Sequence, residues 1–157
     1  MFRDITTILQ SPAGLRLCIE KFLEHLRNVD FDKIVAIESR GFVFGSVLAY
    51  QLGKGLVLAR KPGKLPAARA RQEYQLEYGS DAIEMHLDAL IKGEKVIIID
   101  DLLATGGTAL AAADLCKQLG AQVVEFGFVI DLPDIGGSDR LKKAGYSFFT
   151  LTEFEGD

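Results

Sequence analysis

Tryptophan is absent, and cysteine, histidine and methionine appear only twice each in 157 residues. Two cysteines as far apart as Cys18 and Cys116 make no disulfide framework, and no Cys/His cluster has the spacing of a zinc site. Both fall on apolar faces of expected helices, which predicts buried free thiols in a reducing compartment. Long hydrophobic runs are also missing. The longest uncharged stretch, Gly41 to Gly53, has 13 residues, short of the roughly 20 that a spanning helix needs, so no membrane association is expected. The opening "MFRDITT" lacks a basic region followed by an apolar core, which predicts no secretory signal and a cytoplasmic protein.

What remains is globular in character. Hydrophobic residues at 48% and charged residues at 25% exclude disordered and fibrous classes. The length suits one domain, 1–157. A net charge of −4 argues against a general nucleic-acid partner. The charge is unevenly spread, however. "RKPGKLPAARARQ", from Arg60 to Gln72, holds five basic residues and no acid. A positive segment on an acidic body fits a small anionic ligand; a plain solvated loop is the competing reading.

Hydrophobic spacing alternates between two periods. Ser11-Pro12 reads as a helix cap, and Leu15, Cys18, Ile19, Phe22, Leu23 and Leu26 follow at helical spacing. "KIVAI" and "GLVLA" are short apolar strands, with the helix "FVFGSVLAYQL" between them closed by Gly53. "EYQLEYG" and "IEMHL" alternate like a hairpin. "VIIID" is a strand, 107–119 a helix, "AQVVEFGFVI" a strand, "GSDRLKKAG" a short helix and "YSFFTLT" a last strand. Continuously apolar strands alternating with helices predict an α/β fold, a parallel sheet flanked by helices on both faces. The region of about 61–90 breaks that rhythm and is expected to form a small antiparallel flap or hood over the sheet edge.

Ligands in such sheets sit beyond the carboxyl ends of the strands. "ESRG", "RKPGK" and "DDLLATGGT" all fall at those ends. Glycines directly before a helix let backbone N–H groups converge on one anion, and Thr105 and Thr108 add hydroxyls. The loop has neither the lysine of a P-loop nor a Gly-x-Gly-x-x-Gly fingerprint, so a terminal monophosphate suits it better than a triphosphate. Asp100 and Asp101 repel each other and are costly to desolvate, so they call for strong donors. A ribose offers two adjacent hydroxyls at a fixed distance from its 5′-phosphate. Two solvated acids ending a strand is the plainer alternative.

"VIIIDDLLATGGTA" resembles the phosphoribosyl-pyrophosphate (PRPP) motif of the type I phosphoribosyltransferases. "FRDIT", "ESRGFVFG", "RKPGKLP" and "EYQLEYG" resemble the adenine phosphoribosyltransferases, in the same order, from Phe2 onward. The resemblance implies roles for particular residues. Asp100 and Asp101 would hold the ribose hydroxyls, and Ala104, Thr105, Gly106, Gly107 and Thr108 the 5′-phosphate. Glu38, Ser39 and Arg40 match the pyrophosphate loop, where a non-proline cis peptide is expected. Arg60, Lys61 and Lys64 match the basic stretch that also meets pyrophosphate, with Arg60 reaching a neighbouring subunit's site. Phe2, Arg3 and Leu102 would contact adenine, and Glu77, with Tyr78 beside it, would manage the proton on the base.

The implied reaction is displacement of pyrophosphate from the ribose anomeric carbon by a ring nitrogen of adenine, giving AMP. Its transition state is expected to resemble an oxocarbenium ion. Magnesium ion is expected to travel with PRPP and pyrophosphate, with no protein ligand assigned. A homodimer is implied. Two other readings stay open: the same chemistry on hypoxanthine, guanine or xanthine, and a non-catalytic regulator that senses PRPP or a purine. His25, His86, Asp131, Asp134 and the Phe148-Phe149 pair are read as structural.

Overall fold

The computed structural model describes residues 4–76 and 78–155. In chain order the elements are α1 (Thr6–Gln10), α2 (Pro12–Leu26), β1 (Lys33–Ile37), α3 (Gly41–Leu52), β2 (Gly55–Ala59), β3 (Arg69–Gln75) and β4 (Ser80–His86). Then come β5 (Lys95–Leu103), α4 (Gly107–Gln118), β6 (Gln122–Asp131), a 3-10 turn (Pro133–Ile135), α5 (Gly137–Lys143) and β7 (Phe148–Glu153). Five strands make one sheet in the order β2-β1-β5-β6-β7, every neighbour parallel, and β3 pairs with β4 in a separate antiparallel hairpin. The α/β sheet flanked by helices, with a small antiparallel unit, is the expected class.

Alternation along the central strands divides the core in two. Val35, Ile37, Val96 and Ile98 face α4, while Ile34, Ile97 and Ile99 face α2 and α3. Both faces are covered, which explains why "IVAI" and "VIII" show no polar positions. The order reverses between β1 and β5: from β1 the chain goes outward to β2, then returns to add β5 on the other side. That reversal opens a crevice beyond the carboxyl ends of β1 and β5, the place where such sheets bind ligands.

Four details differ from the sequence expectation. Helix α1 was not anticipated; Asp4 starts it by accepting from the Thr6 N–H at 2.9 Å and from the Thr6 hydroxyl at 2.6 Å. Five residues are too few for hydrophobic periodicity to show. Cys116 is buried, but Cys18 is only half-buried, because the covered face of α2 is Ile19, Phe22, Leu23 and Leu26, one step away. Strand β3 starts at Arg69, four residues before "EYQLEYG". And the 61–90 segment does not project as a whole: Ile83 and Met85 of β4 are buried in the same core as α4.

The early start of β3 has a clear cause. Glu84 is 3% exposed and lies opposite Arg71 in the hairpin register. Its carboxylate meets the Arg69 guanidinium at 2.9 Å and that of Arg71 at 3.8 Å, and accepts from the Gly63 N–H at 3.1 Å. A buried carboxylate demands such partners. Its own backbone exchanges two hydrogen bonds with Arg60, at 2.9 and 2.7 Å. The arginine-rich start of the hairpin is thus the counter-charge for one buried acid, and it clips the hairpin to the end of β2.

Candidate active site

Two adjoining cavities occupy the crevice. One, about 270 Å³, is lined by Glu38, Ser39, Arg40, Lys61, Asp101 and neighbours. The other, about 90 Å³, is bounded by the loop from Leu103 to Ala109 and by Phe128. Asp100, Leu102 and Thr108 line both. Three stretches far apart in sequence therefore converge, as their positions after β1, β2 and β5 required. Leu102 is half-buried at the junction.

The smaller cavity is the glycine cup. Gly106 stands at φ +76°, the left-handed region that favours glycine, and α4 begins at the next residue. The Thr105 hydroxyl accepts a long bond from the Gly107 N–H at 3.4 Å. The α4 N-terminus and its backbone N–H groups favour an anion. Thr105 is exposed, Ala104 and Thr108 half-buried, and Gly106 and Gly107 buried.

The paired acids lie near the end of β5, just before Leu102 and Leu103. The Asp101 N–H donates to Asp100 Oδ1 at 2.8 Å. Burial, followed by the neighbouring Asp101 charge, pushes the Asp100 carboxyl well above the usual carboxylate range. Asp101 is 5% exposed, and its Oδ2 is paired with the Arg40 guanidinium. The loop that bears Arg40 contains a cis peptide between Glu38 and Ser39, as the resemblance implied. It is held against β5 by Gly41, where a Cβ would lie 2.8 Å from the Ile99 carbonyl oxygen and 3.1 Å from Asp100 Oδ1.

The basic stretch is arranged around Glu38. Its carboxylate accepts from the Lys61 N–H at 2.7 Å, from Arg60 Nε at 3.3 Å and from the Lys64 ammonium. Burial pushes Glu38 up, but the bonds from Lys64, the Lys61 N–H and Arg60 outweigh it and hold the acid below its usual range. Arg60 is therefore seated on its own chain's Glu38, with its guanidinium 5.9 Å from the Phe42 ring centre. Lys61 bonds Asp81 and, at 2.8 Å, the Tyr74 hydroxyl. Burial lowers its pKa, but those two hydrogen bonds prevail and raise it.

Of the other expected residues, Tyr78 is 87% exposed at the hairpin tip. Phe2, Arg3 and Glu77 lie outside the described residues. The tip itself is closed by the Leu76 N–H donating to the Gly79 carbonyl at 3.0 Å. Tyr74, Asp81 and Gly41 were missed by the sequence reading. The first two face each other only through the hairpin register, and the need for glycine at 41 is a tertiary contact. Among the described residues no group of three or more His, Cys, Asp or Glu side chains is placed to hold a metal ion. No helix among them is long and apolar enough to cross a membrane.

Known proteins share this arrangement. Residues 4–152 match the phosphoribosyl transferase domain. The adenine phosphoribosyltransferase of Chlorobium phaeobacteroides (strain DSM 266) is 59% identical over all of this chain and 90% of its own length, and that of Chlorobaculum parvum 57% over the same shares. The crystal structure of the Thermoanaerobacter pseudethanolicus adenine phosphoribosyltransferase superposes with a TM-score of 0.93 at 46% identity, covering 98% of this chain and 88% of that one. A Trypanosoma brucei adenine phosphoribosyltransferase, solved with AMP, pyrophosphate and ribose-5-phosphate, superposes with a TM-score of 0.88 at 28% identity, covering 97% and 69%. Matched along nearly its whole length, the chain belongs to the phosphoribosyl transferase family, in its adenine phosphoribosyltransferase branch.

Proposed function

We propose that the chain transfers the 5-phosphoribosyl group of PRPP to adenine, forming AMP and releasing pyrophosphate. The observation that carries this reading is the pair of cavities meeting at Asp100, a glycine cup on one side and a larger space lined by Arg40 and Lys61 on the other. A ribose held at the two acids would extend its 5′-phosphate into the cup and its pyrophosphate towards the cations. Leu102, at the junction, would present an apolar surface to the base.

The chemistry asked of these residues is electrostatic. Bond breaking at the anomeric carbon builds positive charge on the ribose and negative charge on the departing pyrophosphate. Asp100 and Asp101 lie where they favour the first, and Arg40, Lys61 and Lys64 where they favour the second. Each of these cations is paired with a carboxylate, Asp101, Asp81 or Glu38. Pyrophosphate would therefore exchange carboxylate partners for phosphate ones. Magnesium is proposed to arrive bound to PRPP, supplying further positive charge to the leaving group. Glu77, with Tyr78 beside it, is proposed to take up the proton that the attacking base loses.

A homodimer is proposed through the face of β2 and α3. Leu56 and Leu58 on the edge strand are 38% and 36% exposed, and Val43 and Tyr50 of α3 are exposed as well. A cavity of about 310 Å³, lined by Leu56, Leu58, Leu65 and His86 among others, opens on the same edge. Sedimentation equilibrium at micromolar concentration would report a single species of twice the chain mass. Two unpaired thiols suit a cytoplasmic location.

The deciding test is pyrophosphate release with PRPP and magnesium in the presence of adenine, hypoxanthine, guanine or xanthine. Release with adenine alone supports the reading. Release with another base alone keeps the fold and overturns the substrate. Folded protein that binds PRPP and releases nothing favours the regulator reading.

A further inference from the structure

The glycine cup carries no cationic side chain of its own between Ala104 and Thr108. Two bonds reach it from α5. The Gly137 N–H donates to the Ala104 carbonyl at 2.9 Å, and Arg140 Nη1 donates to the Thr105 carbonyl at 2.7 Å. Successive peptide groups of the cup are thus gripped by their oxygens. In a planar trans peptide the N–H points opposite to the C=O. Holding the Thr105 oxygen therefore turns the Gly106 N–H away from the guanidinium, and holding the Ala104 oxygen does the same for the Thr105 N–H.

The fit leaves no slack. A Cβ on Gly137 would fall 2.3 Å from the Ala104 oxygen, and one on Gly106 would fall 3.2 Å from the Gly137 oxygen. The start of α5 is itself tied to the sheet, because the Ser138 hydroxyl donates to Asp131 Oδ2 at 2.8 Å in a buried pair at the end of β6.

We propose that Arg140 is a positioning residue for 5′-phosphate binding: it orients the cup's peptides and brings to them the positive charge that the lysine-free loop lacks. The inference rests on the reading of residues 104–108 as the 5′-phosphate site. A charge-assisted hydrogen bond both fixes the peptide and polarises it, strengthening the N–H at its other end as a donor.

The test compares wild type, R140Q and R140K, using ribose 5-phosphate and pyrophosphate as separate inhibitors beside full kinetics. R140Q is expected to raise KM for PRPP and the inhibition constant of ribose 5-phosphate together, roughly tenfold, the size of one lost charge-assisted bond. KM for adenine, inhibition by pyrophosphate and the melting temperature should hold. R140K, which keeps the charge without the planar fork, should recover part of the loss. An R140Q protein that binds ribose 5-phosphate like wild type overturns the proposal. So does a variant in which pyrophosphate weakens as much as ribose 5-phosphate. Wild-type protein that ignores ribose 5-phosphate and PRPP alike would instead remove the cup reading beneath it.

Discussion

Lys61, on the loop after β2, donates to the Tyr74 hydroxyl at 2.8 Å, so one ammonium joins the basic stretch to the hairpin whose tip follows three residues later. Tyr74 stands directly opposite Asp81 in the hairpin register and donates to its Oδ2 at 3.1 Å. The same carboxylate takes the Lys61 ammonium. The Tyr74 ring lies beside Gly107, where a Cβ would approach its Cδ2 to 3.3 Å. A residue expected to meet pyrophosphate thereby sets the hairpin against the cup.

Replacing Asp81 with Asn should therefore harm catalysis more than folding. Both ends of the pair are about one-third exposed, at 36% and 32%, so the loss of stability should be only about 0.5–1 kcal/mol. The Lys61 bond holds the Asp81 carboxyl below its usual 3.8. Its stabilising contribution is present above that ordinary value and disappears as pH falls through the lowered folded one. Expected in steady-state kinetics is a fall in kcat of about tenfold, the scale of a modest misplacement at a reacting centre. An unchanged kcat would mean that the hairpin tip is positioned without Lys61.

Substituting Gly41 with Ala tests the contact between the pyrophosphate loop and the ribose acids. The new methyl would meet the Ile99 carbonyl at 2.8 Å, and backbone there cannot give way without moving the end of β5. Overpacking of this kind costs about 1–3 kcal/mol. The melting temperature should fall and KM for PRPP should rise, while KM for adenine changes less. If both KM values rise equally, Gly41 supports the whole crevice rather than this contact.

Local patterns carried most of the fold. "KIVAI" and "VIIID" are legible as covered strands because both of their faces are buried, and Gly53 marks a helix end because its φ of +63° is one that side chains disfavour. The cup is legible because its chemistry is backbone chemistry, written in adjacent glycines. What did not show in the sequence are pairings made by register and crossover: Arg40 with Asp101, Tyr74 with Asp81, Arg69 and Arg71 with Glu84, Arg140 with the Thr105 carbonyl. Each joins residues from different elements or opposite strands, and no sequence period encodes such a distance. The arginines of "AARARQEY" are the clearest case, since the acid that explains them sits on the other strand of the hairpin.

Asp100 offers the sharpest separation of stability from function. Burial, with the Asp101 charge, raises its folded value above the ordinary 3.8, so the fold prefers the protonated acid. The sign follows: the contribution to stability is fully present below about pH 3.8 and is lost as pH rises through the raised folded value. Once ionised, the acid is a burden that ribose hydroxyl donors would relieve. Asn is isosteric, and its Oδ1 can still accept the Asp101 N–H that now lies 2.8 Å away. Asp100→Asn should melt above wild type at pH 8, with the difference shrinking as pH falls towards 4. It should also lose on the order of 10²-fold in kcat/KM for PRPP through mispositioned ribose. Thermal melts across pH 4–8, run beside PRPP kinetics, measure both. A variant less stable than wild type at every pH would show instead that the ionised carboxylate is held by donors strong enough to favour it, and that its place in the crevice is structural.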